Sequence, residues 1–265
     1  MSRFAVLGGG VMGEALIVGL QRRIQPAPQI VVAEKRPERA ADLVGRLGVQ
    51  VAEAAEAVRG AEVIILVVKP QDIRTLLAQI GGQVADGALV VSIAAGIPTS
   101  LIESALPTAQ VVRAMPNTPA RIECGLTGIS PGASCDPQHL QRASELLSAV
   151  GTVVQVPESQ QDAVTSVSGS GPAYLFYLAE AMIDGAIAGG IDPAQARLMV
   201  AATLLGSAQL LQASDEAPQT LRANVTSPGG TTAAAIGVFD DRGVLDAIVA
   251  GIAAARQRGA ELAAG

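Results

Sequence analysis

FAVLGGGVMGEAL, residues 4–16, decides how the rest of the chain is read. Phe4 to Leu7 is a short apolar run that predicts a buried strand. Gly8 to Gly13 then follow the spacing G-x-G-x-x-G. Gly8 permits the tight turn out of the strand, Gly10 lets a pyrophosphate approach the backbone, and Gly13 lets the next helix pack on the strand. The helix opening here directs free N–H groups and a positive dipole end at a phosphate. In a chain with 29 glycines the spacing alone is weak, and a purely structural turn is the alternative. The context favours a dinucleotide site. A second strand, Ile30 to Ala33, closes about 20 residues on in the charged cluster Glu34-Lys35-Arg36.

Around that turn, 265 residues allow one large or two modest domains. Apolar residues make up 49% of the chain, yet no apolar run reaches the length of a membrane span. The chain enters its first strand directly, which predicts no leader segment, and the expected compartment is the cytoplasm. A net charge of −6 gives no indication of a nucleic-acid surface. Cys124 and Cys135 lack metal-type spacing and read as reduced, structural thiols. The single histidine, His139, is expected on a surface helix and is a poor catalytic candidate.

Strands and helices alternate through residue 156, which predicts a doubly wound α/β sheet. Helices are read at Pro37 to Leu47 and Ala52 to Arg59, and strands at Val49 to Val51, Val63 to Val68, Ala88 to Ile93 and Gln110 to Ala114. Pro70 stops the VIILVV strand and starts a helix. Ala94-Ala95-Gly96 leaves room for a ligand where open sheets bind one. Met115-Pro116-Asn117-Thr118-Pro119 is a rigid loop. Ile122 to Ile129 and Thr152 to Val156 read as the last strands, separated by a helix capped at Asp136-Pro137.

After Pro157 no strand is expected. Ala173 to Ala188, Pro193 to Leu211, Pro218 to Val225, Thr231 to Phe239 and Val244 to Ala263 read as helices, very rich in alanine. Such faces supply little apolar area each, so they are expected to bury more against a second subunit; the alternative is a self-contained bundle. The stretch Asn224-Val225-Thr226-Ser227-Pro228-Gly229-Gly230-Thr231-Thr232 forms backbone N–H donors at a helix start with hydroxyls around them. It contains no lysine, so a small carboxylate fits as well as a phosphate. The alternative is an ordinary inter-helix loop.

Six blocks together are similar to the pyrroline-5-carboxylate reductases: GGGVMGEAL (8–16), VVKPQ (67–71), SIAAGI (92–97), RAMPNTP (113–119), SGSGPAY (168–174) and NVTSPGGTT (224–232). The resemblance implies a Rossmann-type NAD(P)-binding domain at 1–157 and an all-helical dimerisation and substrate-binding domain at 158–265. It implies reduction of 1-pyrroline-5-carboxylate to L-proline, the last step of proline biosynthesis, by a homodimer or a higher assembly of dimers. Carried over position by position, it sets the cofactor pyrophosphate on Gly8, Gly10, Val11, Met12 and Gly13. Val68, Lys69 and Pro70 flank the adenosine–pyrophosphate side, Ala94 and Ala95 the nicotinamide ribose, and Asn117 the nicotinamide. Ser227, Gly230, Thr231 and Thr232 form the substrate pocket, with Thr232 beside the imine nitrogen. Glu158 stands at its edge, and Asn224 on the cofactor side of that edge. Ala54 departs from the family, which often has Asn near the adenosine ribose.

Lys35 and Arg36 suit the 2′-phosphate of NADPH, while Glu34 favours the free 2′-hydroxyl of NADH. The cations are given the greater weight, with NADH as a second donor. Hydride chemistry belongs to the nicotinamide, so the protein's task is mainly positioning. Thr232 donates a hydrogen bond but is too weak an acid to be the sole proton source. The substrate then arrives as an iminium or draws its proton through Thr232 from water. Competing readings are an imine reductase or a related dehydrogenase on the same plan, or a catalytically silent NAD(P)-binding regulator. Hydroxy-acid dehydrogenases of this plan carry a catalytic lysine on the first long helix of the second domain. Here the only lysines are Lys35 and Lys69, which argues against alcohol oxidation. The silent regulator would have no need of the Ser/Thr/Gly loop.

Overall fold

The structure is a computed structural model that describes residues 2–264, with side chains as far as Glu261. Residues divide into two compact units, one up to Ser170 together with the segment from Ala255, the other Gly171–Ala254. In the first, strands β1 (Arg3–Leu7), β2 (Gln29–Ala33), β3 (Gln50–Val51), β4 (Val63–Leu66), β5 (Leu89–Ser92), β6 (Gln110–Pro116), β7 (Gly125–Pro131) and β8 (Gly151–Gln155) form one sheet. Its order is β3-β2-β1-β4-β5-β6-β7-β8.

Strand side chains alternate between faces, and this splits the core in two. Phe4, Val6, Ile30, Val32, Ile65 and Val91 pack on one face with helices α1 (Val11–Arg23), α2 (Pro37–Leu47) and α6 (Pro137–Leu147). Ala5, Leu7, Val31, Ile64, Leu66 and Val90 pack on the other with α3 (Ala54–Ala57), α4 (Ile73–Ile80) and α5 (Thr99–Ala105). Strands buried on both faces read as unbroken apolar runs, which is why VIIL and LVVS were legible.

The structure departs from the sequence reading at several elements. The strand expected from Ile122 starts at Gly125, because Thr118–Ile122 winds into a 3-10 turn. β7 runs antiparallel to β6. A parallel return needs a crossover of a dozen or more residues, and only residues 117–124 join these strands. The strand expected to reach Val68 ends at Leu66, and Pro70–Asp72 forms a 3-10 turn before α4. Helix α5, the short helix α7 (Gln161–Val164) and the π-turn Thr165–Gly169 that follows it had no counterpart in the sequence reading.

The second unit holds helices α8 (Gly171–Ala188), α9 (Pro193–Ala213), α10 (Pro218–Asn224) and α11 (Thr231–Asp241), and helix α12 (Val244–Ala264) begins in it. Asp192 caps α9 by accepting the N–H groups of Ala194 and Gln195. Of the residues on α8 to α11, only Ala196 and Val200 are buried.

Candidate active site

The carboxyl ends of four strands stand in register, Leu7 beside Ala33 and Leu66 and Leu66 beside Ser92, while Ser92 lies beside Arg113 within β6, which runs on to Pro116. The segments that follow them therefore share one edge of the sheet. They are the glycine turn, Glu34 to Arg36, Val67 to Pro70, Ile93 to Ala95, and Asn117 beyond the end of β6.

Gly8 has φ +120°, and its N–H donates to the carbonyl of Ala33 at 2.9 Å. A Cβ at Gly8 would run into the Val67 carbonyl, and one at Gly13 into the carbonyl of Gly8, so α1 packs directly on the turn. Gly10 is the opposite case. It is the N-cap of α1, no side chain caps that helix, and nothing lies within 4 Å of where its Cβ would stand. The outward side of the turn is an open cradle under free helix-start N–H groups, and a pyrophosphate fits it. Val11 is exposed and Met12 half-buried at the same helix start.

Behind the turn lies a charged layer. The Gly9 N–H donates to Glu34 Oε2 (3.1 Å), and Arg39 Nε donates to the Gly9 carbonyl (2.8 Å). Glu34 also accepts from the Arg36 N–H (3.0 Å), Nε (3.0 Å) and Nη2 (3.2 Å). The Arg36 guanidinium holds the Glu34 carboxyl below its ordinary range, aided by the Gly9 N–H. Arg39 pairs further with Asp42 and Glu14, and Arg46 with the same two carboxylates. Sequence reasoning missed Arg39; its one signal is its place on α2 one helical turn after Arg36.

Along the edge, Val68 is half-buried, Lys69 and Pro70 are exposed, Ala94 is buried and Ala95 exposed. Ala54 opens α3. Asn117 is brought to this edge, but its side chain is occupied by the protein. Its Nδ2 donates to the Ser168 carbonyl (3.2 Å) and hydroxyl (3.1 Å), and its Oδ1 accepts the Leu126 N–H (2.8 Å). It ties β7 to the π-turn. Glu158 is likewise engaged. Its two oxygens accept the N–H and the hydroxyl of Thr99, each at 2.8 Å, and Arg113 Nη1 approaches at 3.3 Å. Glu158 thus serves as an anionic cap for α5.

In the helical unit, α10 ends at Asn224, whose Nδ2 donates to Glu216 Oε2 (3.2 Å). The chain then turns, with Gly229 at φ +69° and the Gly230 N–H donating to the Ser227 carbonyl (3.0 Å). Gly230 is the N-cap of α11, again with no side-chain cap. Thr231 and Thr232 occupy its first turn, the first exposed and the second half-buried. The arrangement offers backbone N–H groups and hydroxyls to a small anion.

Other chemistry lies elsewhere. His139 sits in the first turn of α6, its Nδ1 2.9 Å from Asp136 Oδ1. Burial pushes the Cys135 thiol up to about 11, with Asp136 and Glu103 adding to the shift. Among the described residues no cluster of His, Cys, Asp and Glu could hold a metal ion. A cleft of about 540 Å³ lined by Phe4, Ile24 and Arg142 contains none of the candidate groups.

Residues 158–262 match the family model described as pyrroline-5-carboxylate reductase dimerisation, and residues 3–96 that of coenzyme F420-dependent NADP oxidoreductases. The chain is 41% identical to a pyrroline-5-carboxylate reductase of Mycobacterium tuberculosis, covering 99% of this chain and 97% of the relative. It is 40% identical to that of Synechocystis sp., covering 98% of each. A solved pyrroline-5-carboxylate reductase from Coxiella burnetii superposes with a TM-score of 0.91 at 32% identity, covering 98% of each chain.

Proposed function

The chain belongs to the pyrroline-5-carboxylate reductase family, and we infer from that membership and from the geometry how its residues divide the work. It is an oxidoreductase that reduces 1-pyrroline-5-carboxylate to L-proline with NADPH or NADH, in proline biosynthesis. The observation that carries the reading is the cradle at Gly8, Gly10 and Gly13, open only on its outward side.

When bound, the reduced nicotinamide supplies the hydride. Gly8, Gly10, Val11, Met12 and Gly13 hold its pyrophosphate, and Lys35 and Arg36 meet the 2′-phosphate of NADPH. Val68, Lys69 and Pro70 flank the adenosine side. Ala94 and Ala95 leave room for the nicotinamide ribose, Asn117 stands at the nicotinamide end, and Asn224 completes the cofactor side. Ser227, Gly230 and Thr231 receive the substrate carboxylate, with Glu158 at the rim. Thr232 is the catalytic residue. It orients the imine and donates to a nitrogen that gains electron density, which lowers the barrier more than it improves binding. The proton comes from the iminium itself or from water through Thr232. We take residues 1–157 as the cofactor domain and 158–265 as the dimerisation and substrate domain. The molecule is a homo-oligomer, and we propose a homodimer as its unit, acting in the cytoplasm.

Purified protein given NADPH or NADH and the cyclic imine tests this: absorbance of the reduced cofactor falls and L-proline accumulates. Cofactor oxidation only with a different imine or with a keto acid, or no oxidation at all, overturns the substrate assignment.

A further inference from the structure

Glu34 follows β2 directly, at the place where an acid of a dinucleotide fold ordinarily accepts the ribose 2′-hydroxyl. Here that carboxylate is only 8% exposed and already receives four protein donors: the Gly9 N–H and three from Arg36. An ionised carboxylate offers about four lone-pair positions, so the set is full. On the other side of Gly9, Arg39 takes the carbonyl, and Glu14 and Asp42 fix Arg39 in turn. Both backbone polar groups of Gly9 are therefore turned away from the cradle and clamped by side chains of the β2–α2 segment. A Cβ at Gly9 would strike Leu43 Cδ1 and crowd Glu34, so a larger residue there must displace both side chains.

We propose that Glu34 and Arg39 are positioning residues that hold the pyrophosphate turn from behind, and that Glu34 does not receive the ribose 2′-hydroxyl. Discrimination between the two cofactors then falls to Arg36, whose side chain is 67% exposed and whose Nη1 is not among the atoms bound to Glu34. The inference rests on the dinucleotide reading of the turn.

The test is direct binding of each cofactor, by titration of reduced-nicotinamide fluorescence, to wild type, Glu34→Gln and Arg39→Gln, with thermal unfolding of each. Wild type that binds neither cofactor overturns the dinucleotide reading itself, before any variant is compared. With wild-type binding established, Glu34→Gln should raise the Kd for NADPH and for NADH by similar factors, on the order of tenfold for the loss of a charge-assisted bond. In turnover, KM for both cofactors should rise more than kcat falls. A ribose acid would behave differently: NADH alone would weaken, or NADPH would tighten, and either result overturns the proposal. Unchanged binding of both overturns it too. Arg39→Gln reaches the same turn through a different atom and must show the same unselective loss; selective or absent loss removes Arg39 from the clamp.

Discussion

On the sheet, Ile64, Leu66, Val90 and Leu89 are fully buried, and two apolar clusters cover both of its faces. On α8 and α9, Phe176, Tyr177 and Leu198 are 71%, 77% and 70% exposed. Both regions are apolar in sequence, but only the first encloses its own core. Burying a large side chain stabilises by roughly 1.5–3 kcal/mol, and these exposed side chains forgo that stabilisation within the chain. The family model that covers them is a dimerisation model. The sheet unit thus encloses its own core, and the proposed dimer would give the helical unit burial that its own chain does not supply.

The sharpest way to break this contrast is to charge the exposed face. Phe176→Asp or Leu198→Asp should dissociate the oligomer and abolish turnover, while cofactor titration shows the sheet unit still binding. A fully active monomer by light scattering would end the comparison. Next in size, Gly13→Ala must displace the Gly8 carbonyl and should lower both melting temperature and cofactor affinity. Gly10→Ala meets no protein atom and should weaken cofactor binding while the melting temperature stays put. Equal melting losses in the two would show that the cradle is not open.

Thr232→Ala should lower kcat on the order of tenfold or more, short of the ~10²–10⁴ of a dedicated general acid. Cofactor affinity should hardly change, and Thr232→Ser should retain much of the activity. Steady-state kinetics with the cyclic imine decide it, and wild-type turnover in the alanine variant would reduce Thr232 to a helix-start residue. Arg36→Ala should raise KM for NADPH well above its effect on NADH. Equal effects would remove the 2′-phosphate assignment.

The smallest effect concerns acid. Arg39, and then Arg46, hold the Glu14 carboxyl below its ordinary 4.5, and Arg36 does the same for Glu34. A carboxyl lowered in the native state stabilises the fold above its unfolded pKa, and the contribution fades as acid protonates the native form. The melting temperature should therefore decline once the pH falls below 4.5, and Glu14→Gln should flatten that decline. A variant with the same acid profile as wild type would show that the Glu14 pairs contribute nothing.

Much of this was legible in the residues because the signals act over a few positions. The glycine spacing gave the turn, since the positive φ of Gly8 and the close approach of Gly13 to the Gly8 carbonyl are local to strand, turn and helix. Asp136 and Asp192 gave helix starts, since each side chain reaches N–H groups two or three residues on. Helix α5 stayed hidden because the group on its first N–H, Glu158, lies 59 residues away. The π-turn stayed hidden because its brace, Asn117, stands 51 residues upstream.

By itself, then, the amino-acid sequence determined the apolar strands, the glycine turn, the helix caps and the change to an all-helical half, all set by signals between near neighbours in the chain. Tertiary structure alone decided the occupation of Asn117 and Glu158 and the saturation of Glu34. Those depend on which strand ends the sheet register brings side by side, and a carboxylate that reads as free in sequence is filled once Gly9 and Arg36 are folded against it.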